Sequence, residues 1–176
     1  MNVVYFDLET QRSAEEVGGW DRKERMGFSF GVTYSTKDQA FRGYEEEDIP
    51  ELIGVLGDAD RIVGYNLLGF DYAVLSAYTD VNLSALPTLD LLVSLRTALG
   101  FRPKLDNLAS ATLNSGKSAD GLQAIRWYRE GNFANIALYC KEDVRITRDL
   151  HLFGFENGFI YYTDRSNQSL RVKVNW

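Results

Sequence analysis

The sequence predicts an α/β fold: a mixed β-sheet flanked by helices, in one domain. Three observations carry this. The first elements alternate in type, running strand, hairpin, helix, strand, helix, strand, and several helices follow; that order builds a sheet with helices packed on it. The 176 residues, 45% of them hydrophobic, are enough for one sizeable core and do not call for a second. The opening run Val3-Val4-Tyr5-Phe6 reads as a buried strand, and it ends in two acids, Asp7 and Glu9.

On a strand, residues two apart project from the same face, so Asp7 and Glu9 point together. Side by side they repel and raise each other's pKa, and a cation between them relieves this. Hard oxygen ligands at this spacing suit Mg²⁺ or Mn²⁺. Taken alone, the pair also reads as a strand running into an acidic turn. Residues 10–27 form an irregular stretch, long for a connection, and such connections are usually functional or disordered. Trp20 with Arg12, Arg22, Lys23 and Arg25 makes an aromatic and basic cluster suited to stacking a base and holding a phosphate. A surface loop anchored by Trp20 accounts for the same residues.

Residues 28–34 and 39–44 read as strands joined by the turn Ser35-Thr36-Lys37-Asp38, a hairpin. Glu45 to Asp48 with Pro50 opens a helix to about Leu56, its acids complementing the helix dipole. Residues 60–65 form the next strand, ending at Asn66. A helix is expected from near Gly69, carrying Phe70, Val74, Ala77 and Tyr78, with Asp71 in its first turn. Functional residues of open α/β sheets commonly lie at such junctions, although first turns also favour acids. Residues 86–92 read as a short strand entering a helix that ends near Gly100, with Asp90 as that helix's N-terminal acid.

A further helix spans about 104–113. The polar break that follows holds Gly116-Lys117-Ser118, but Ala111 stands where a phosphate-binding P-loop needs glycine, and a helix precedes it where that loop needs a strand. That reading is rejected; Lys117 remains a candidate for touching a substrate phosphate. Residues 121–130 read as a helix with Trp127 and Tyr128 in packing roles. Asn132 begins the last long helix, on which Tyr139 and Asp143 are four apart and share a face. Residues 158–162 and 170–174 make a terminal hairpin, so the domain divides into a core, 1–153, and a hairpin segment, 154–176. Phe155, Phe159 and Trp176 are expected to cover one edge of the core.

The formal net charge of −6 argues against a protein that coats the phosphate backbone by bulk charge. It leaves a nuclease open, because a carboxylate metal site is itself acidic. The single Cys140 allows no intramolecular disulfide and fits a reducing, cytoplasmic setting. No basic leader and no membrane-length apolar run is seen, so no membrane partner is expected. Asp7, Glu9, Asp71 and Asp143 gathered at one point would form a site for two divalent cations. Two such ions about 3.5–4 Å apart can serve the attacking and leaving oxygens of a phosphoryl displacement.

The motifs together resemble a known family. Asp7-Leu8-Glu9 resembles the first motif of the DEDD exonuclease superfamily, which has the ribonuclease H-like fold. Asn66-x-x-x-Phe70-Asp71 looks like the second, and Tyr139-x-x-x-Asp143 like the third, the tyrosine marking the DEDDy branch. The only histidine, His151, lies eight residues past Asp143 and cannot take the place of that tyrosine. Residues 10–13 and 149–154 are similar to helicase-associated, YprB-like ribonuclease H-like domains.

The resemblance implies a 3′→5′ exonuclease acting on a single-stranded 3′ end, DNA ahead of RNA, and releasing nucleoside 5′-monophosphates. It implies Asp7, Glu9, Asp71 and Asp143 as ligands of two Mg²⁺ or Mn²⁺ ions, with Tyr139 orienting the water. It places Asn66 beside the second motif or the substrate, and makes Leu8, Thr10, Phe70 and Trp20 candidates for wedging terminal bases. A helicase or another nucleic-acid-processing protein is the implied partner. Two other readings stand beside it: a non-catalytic nucleic-acid-binding or helicase-docking module, and an endonuclease using the same metals.

Overall fold

The computed structural model describes residues 1–116 and 121–176. Its main sheet has five strands: β1 (Val3–Thr10), β2 (Phe28–Ser35), β3 (Ala40–Tyr44), β4 (Arg61–Gly64) and β5 (Thr88–Asp90), in the order β3-β2-β1-β4-β5. β1 lies at the centre. It pairs antiparallel with β2, Asp7 opposite Val32 and Glu9 opposite Phe30, and parallel with β4, where the register ends at Tyr5 opposite Val63. β4 and β5 are also parallel, and β2 and β3 form the expected hairpin. The sheet is therefore mixed, as its element order predicts.

The alternation along β1 decides what each side meets. Val4, Phe6 and Leu8 pack with Leu52 and Leu56 of α2 (Ile49–Gly57) and with Val74 and Leu75 of α3 (Tyr72–Leu75). Val3 and Tyr5 face the other way, against Ile136, Cys140 and Val144 of the 25-residue α7 (Phe133–Asn157). Truncating a fully buried ring such as Phe6 would cost about 3–5 kcal/mol. A third cluster, with Ile146, Leu150, Leu95 and Leu108, ties α7 to α4 (Leu91–Leu99) and α5 (Leu105–Leu113). It also holds Ile160 and Val172 of the separate hairpin β6 (Phe159–Thr163) and β7 (Ser169–Lys173). Among the described residues, no helix is long and apolar enough to cross a membrane.

Three local expectations are corrected. The stretch after Glu9 is not irregular throughout: it holds α1 (Ala14–Val17), started by a reciprocal Ser13/Glu16 capping box, and a 3₁₀ run over Trp20–Arg25. Backbone bonds from Gln11 N to Gly27 O and from Arg12 N to Met26 O close it at the base, and buried Met26 pins it. The helix expected from Gly69 is instead a π-helical turn, Leu67–Asp71, leading into the short α3, with Ala77 and Tyr78 beyond it. Phe155 does not cover the core: it is 69% exposed, while Trp176 alone of the C-terminal residues packs onto two core clusters.

Candidate active site

The period of β1 sets the first two acids. Since Val3 and Tyr5 face α7, Asp7 and Glu9 continue the same side, at the end of the strand where side chains leave the core. α7 crosses there and brings Tyr139, Cys140 and Asp143, all buried. The Cys140 thiol donates to the Asp7 backbone oxygen at 3.3 Å and lies 3.8 Å from Asp7 Oδ2. One oxygen each from Asp7 and Glu9 and the Cys140 sulfur all lie within 4.8 Å of one another. The register of β1 and β2 shifts between Glu9 and Thr10, a bulge beside the acids.

Asp71 arrives from the opposite side of β1. The ladder with β4 stops at Tyr5, so Leu8 N–H needs another acceptor, and Asp71 Oδ1 takes it at 3.1 Å. The π-helical turn delivers the carboxylate there; such turns are frequent at functional sites. Asp90 fixes that turn. It caps α4 through Leu92 N and Val93 N, as its sequence position implies. It also accepts from Asn66 N at 2.8 Å and Leu68 N at 3.0 Å. No sequence signal distinguishes this second task from simple capping. Asn66 sits in the left-handed region, and its side chain fills the space a Cβ on Gly69 would need, 2.5 Å from Oδ1. A Cβ at position 69 would therefore displace the Asn66 side chain.

The acids bear on one another and on Cys140 electrostatically. Burial, then Asp90 and Asp143, push the Asp71 carboxyl well above its usual range. Burial also pushes the Cys140 thiol well up, followed by Asp7, Glu9, Asp143 and Asp71, so all four acids act on that one sulfur. The tight group is Asp7, Glu9 and Cys140; Asp71 meets β1 at Leu8 N, and Asp143 lies three residues past Cys140 on α7. The donor set fits a hard divalent cation: carboxylate oxygens, of which that of Asp71 is pushed toward its protonated form by burial and by Asp90 and Asp143.

Tyr139 lies one turn before Asp143, and its ring meets Trp127 of α6 (Gly121–Arg129) edge-on, centroids 6.2 Å apart. Trp127, expected to pack, is thus the prop behind Tyr139. Of the expected wedge residues, Leu8 is corrected: its side chain is 3% exposed in the core on the α2 face, and only its amide serves the site. Trp20 is 66% exposed and tilts over Phe70 with ring centroids 6.3 Å apart. These two rings stand between two clefts. One, of about 420 Å³, is lined by Glu9, Thr10, Arg12, Leu122 and Ile125 beside the shared pair. The other, of about 490 Å³, lies against Asn66 and Gly69. Arg22 and Arg25 line neither cleft. Lys117 lies outside the described residues. His151 is buried two turns along α7 from the acids, bonded through Nδ1 to Tyr5 Oη at 2.8 Å.

Comparison with curated proteins finds no significant match. A family model of the RNase H superfamily matches residues 4–152, most of the chain and all of the elements that carry the acids. The chain belongs to that superfamily.

Proposed function

We propose that this member of the RNase H superfamily is a metal-dependent 3′→5′ exonuclease of the DEDDy type, hydrolysing single-stranded nucleic acid from its 3′ end. The observation that carries the reading is the grouping of Asp7 and Glu9 with Cys140 at the end of β1, with Asp71 bonded to Leu8 N on that strand and Tyr139 and Asp143 flanking Cys140 on buried turns of α7. Mg²⁺ or Mn²⁺ held by these four carboxylates would supply positive charge against the developing phosphorane and a more acidic water.

The chain's own groups do the rest. The cleft beside Glu9 and Thr10 has the size of a small-ligand site and an apolar wall, and takes the terminal nucleotide. Phe70 and Trp20 close its far side and part the last base from the one before it. Tyr139, held by Trp127, orients the attacking water through its hydroxyl. The water oxygen bonds to phosphorus, the bond from phosphorus to the 3′ oxygen breaks, and that oxygen leaves with a proton. The product is a nucleoside 5′-monophosphate and a strand one residue shorter. DNA is the favoured polymer, a helicase or other nucleic-acid-processing protein the favoured partner, and the reducing cytoplasm the setting, consistent with the buried free thiol of Cys140.

The test is a gel assay on 5′-labelled single-stranded DNA and RNA with Mg²⁺ or Mn²⁺, beside a circular single strand. A ladder shortening from the 3′ end, lost in Asp7→Asn and in chelator, is the expected result. Cutting of the circle would replace the exonuclease with an endonuclease. Intact polymers together with no Mn²⁺ binding by calorimetry would leave a binding module.

A further inference from the structure

The second cleft is not used by the chemistry above, and its lining differs from the rest of the molecule. Against a net charge of −6 for the chain, it presents Lys23, Arg96 and Arg102 and no acid. None of the three makes an ion pair with a described residue. They come from three places: the 3₁₀ run after α1, the last turn of α4, and the segment after α4. A cation in the last turn of a helix is explained by the helix dipole. That accounts for Arg96 but not for Lys23 or Arg102, which approach the same space from other elements. Two parts of the wall are tied together, because Asp90 holds the Asn66–Leu68 turn and the start of α4 with the same carboxylate. The apolar part of the lining, Trp20, Phe70 and Val93, is open to solvent where a base could stack; Trp20 and Val93 are 66% and 49% exposed.

We infer that this cleft is a groove for the phosphate backbone of the strand leading into the site, with Lys23, Arg96 and Arg102 holding phosphates upstream of the terminal nucleotide. The inference rests on the proposed nuclease reading for the direction of the strand. Its geometric basis is the shared wall: Trp20 and Phe70 line both clefts, so a strand with its end beside Glu9 and Thr10 passes over Phe70 directly into the basic one. Fixed cations on one side of the rings and fixed acids on the other give the bound strand a polarity. Affinity then comes from a local patch, which a chain of negative net charge requires.

The groove is tested by fluorescence anisotropy on 5′-fluorescein oligothymidylates of about three and about twelve nucleotides, without divalent metal so that nothing is cut, across a range of salt. Wild type is compared with Arg96→Ala/Arg102→Ala. Lys37→Ala, an exposed lysine in the β2–β3 turn at the other end of the sheet, controls for charge alone. The wild type is expected to bind the longer strand more tightly. The double variant, folded by thermal melting, is expected to weaken that binding on the order of tenfold and to flatten the log–log salt slope by about 1.4, at about 0.7 per lost phosphate contact. A wild type with no preference for the longer strand, or a double variant with an unchanged slope, overturns the groove. Turnover of the longer strand in Mn²⁺ is read separately. Tight binding without turnover sinks the exonuclease and keeps the groove, while turnover with an unchanged slope does the reverse.

Discussion

The two faces of α7 carry the same kind of residue to opposite ends. On the outer face, Arg145 bonds Glu142 at 2.6 Å and Asp149 at 2.7 Å, and Arg148 reaches Asp149 at 2.9 Å. The Arg145 hydrogen bond holds the Glu142 carboxyl below its usual range. On the inner face, Asp143 follows Glu142 by one residue, is 5% exposed, and is among the acids that drive Asp71 upward. A single step along the helix thus separates Glu142, matched to an arginine, from Asp143, which lies among the acids of the site. The first arrangement favours the folded chain as it stands. The second, together with burial, makes an ionised Asp71 costly, a cost that a bound cation would offset.

The sharpest way to break the comparison is to neutralise neighbours. Asp143→Asn is expected to lower kcat by about 10³ or more, since it removes a proposed metal ligand from a set that acts as a unit. Glu142→Gln, one position away, is expected to leave kcat unchanged. Tyr139→Phe falls between them, with a loss on the order of 10²-fold for a group that positions water. Initial rates on a labelled strand read all three. Equal losses at positions 142 and 143 would mean that the two faces do not differ in function.

The next effect is on stability and has opposite signs with and without metal. Asp71 has a folded pKa above its unfolded one, so its contribution to stability is full below the ordinary carboxylate range and is lost as pH rises through the folded value. At neutral pH, Asp71→Asn is therefore expected to raise the melting temperature of the metal-free protein, its amide oxygen still able to accept from Leu8 N. Wild type should instead be stabilised by Mn²⁺, by about 2.7 kcal/mol at one hundred times the dissociation constant, and the variant should lose most of that gain. Scanning calorimetry with and without Mn²⁺ decides. A metal-free variant less stable than wild type would show that Asp71 is held as a structural anion.

How much of this could be read from the chain follows from where the determinants lie. β1 announced itself because a strand's face is set by local alternation, and Asp7 and Glu9 inherit the direction of Val3 and Tyr5. Tyr139 and Asp143 were legible because four residues make a helical turn. The backbone at Asn66–Asp71 was not: a π-helical turn and a left-handed asparagine depend on Asp90, more than twenty residues away, accepting two amides. Leu8 was misplaced for the complementary reason. The resemblance named its position, but alternation sends it to the face opposite Asp7. Nor could sequence spacing bring Lys23, Arg96 and Arg102 to one cleft, since only the closed loop and α4 together do so.

A smaller test moves along the inner face of α7, away from the acids. Burial first, and Arg61 second, pull His151 down to about 4, and the neutral ring is bonded to Tyr5. A depressed folded pKa means that stability is present above the ordinary histidine value of 6.5 and is lost as pH falls from there through about 4. Asp71 runs the other way at low pH, so the informative quantity is the difference between wild type and His151→Gln in melting temperature across that window. The gap is expected to change in the variant's favour as pH falls. A constant gap would mean that the imidazole is not held neutral.

The smallest effect is expected where the charges look most complete. Arg145 bonds two acids, yet its side chain and that of Glu142 are each 35% exposed, so solvent and salt screen the pairs and ordering the side chains offsets much of the attraction. Arg145→Met keeps the aliphatic stem and removes the charge, and is expected to cost about 1 kcal/mol or less, a fall of roughly 2–4 °C in melting temperature. High salt should shrink the difference further. kcat should not move, because nothing on this face reaches the cleft. A loss of activity out of proportion to that small change in stability would couple the two faces through the helix. The outer network would then be setting the position of Asp143, and the contrast between stabilising and functional acids would have to be redrawn as one connected system.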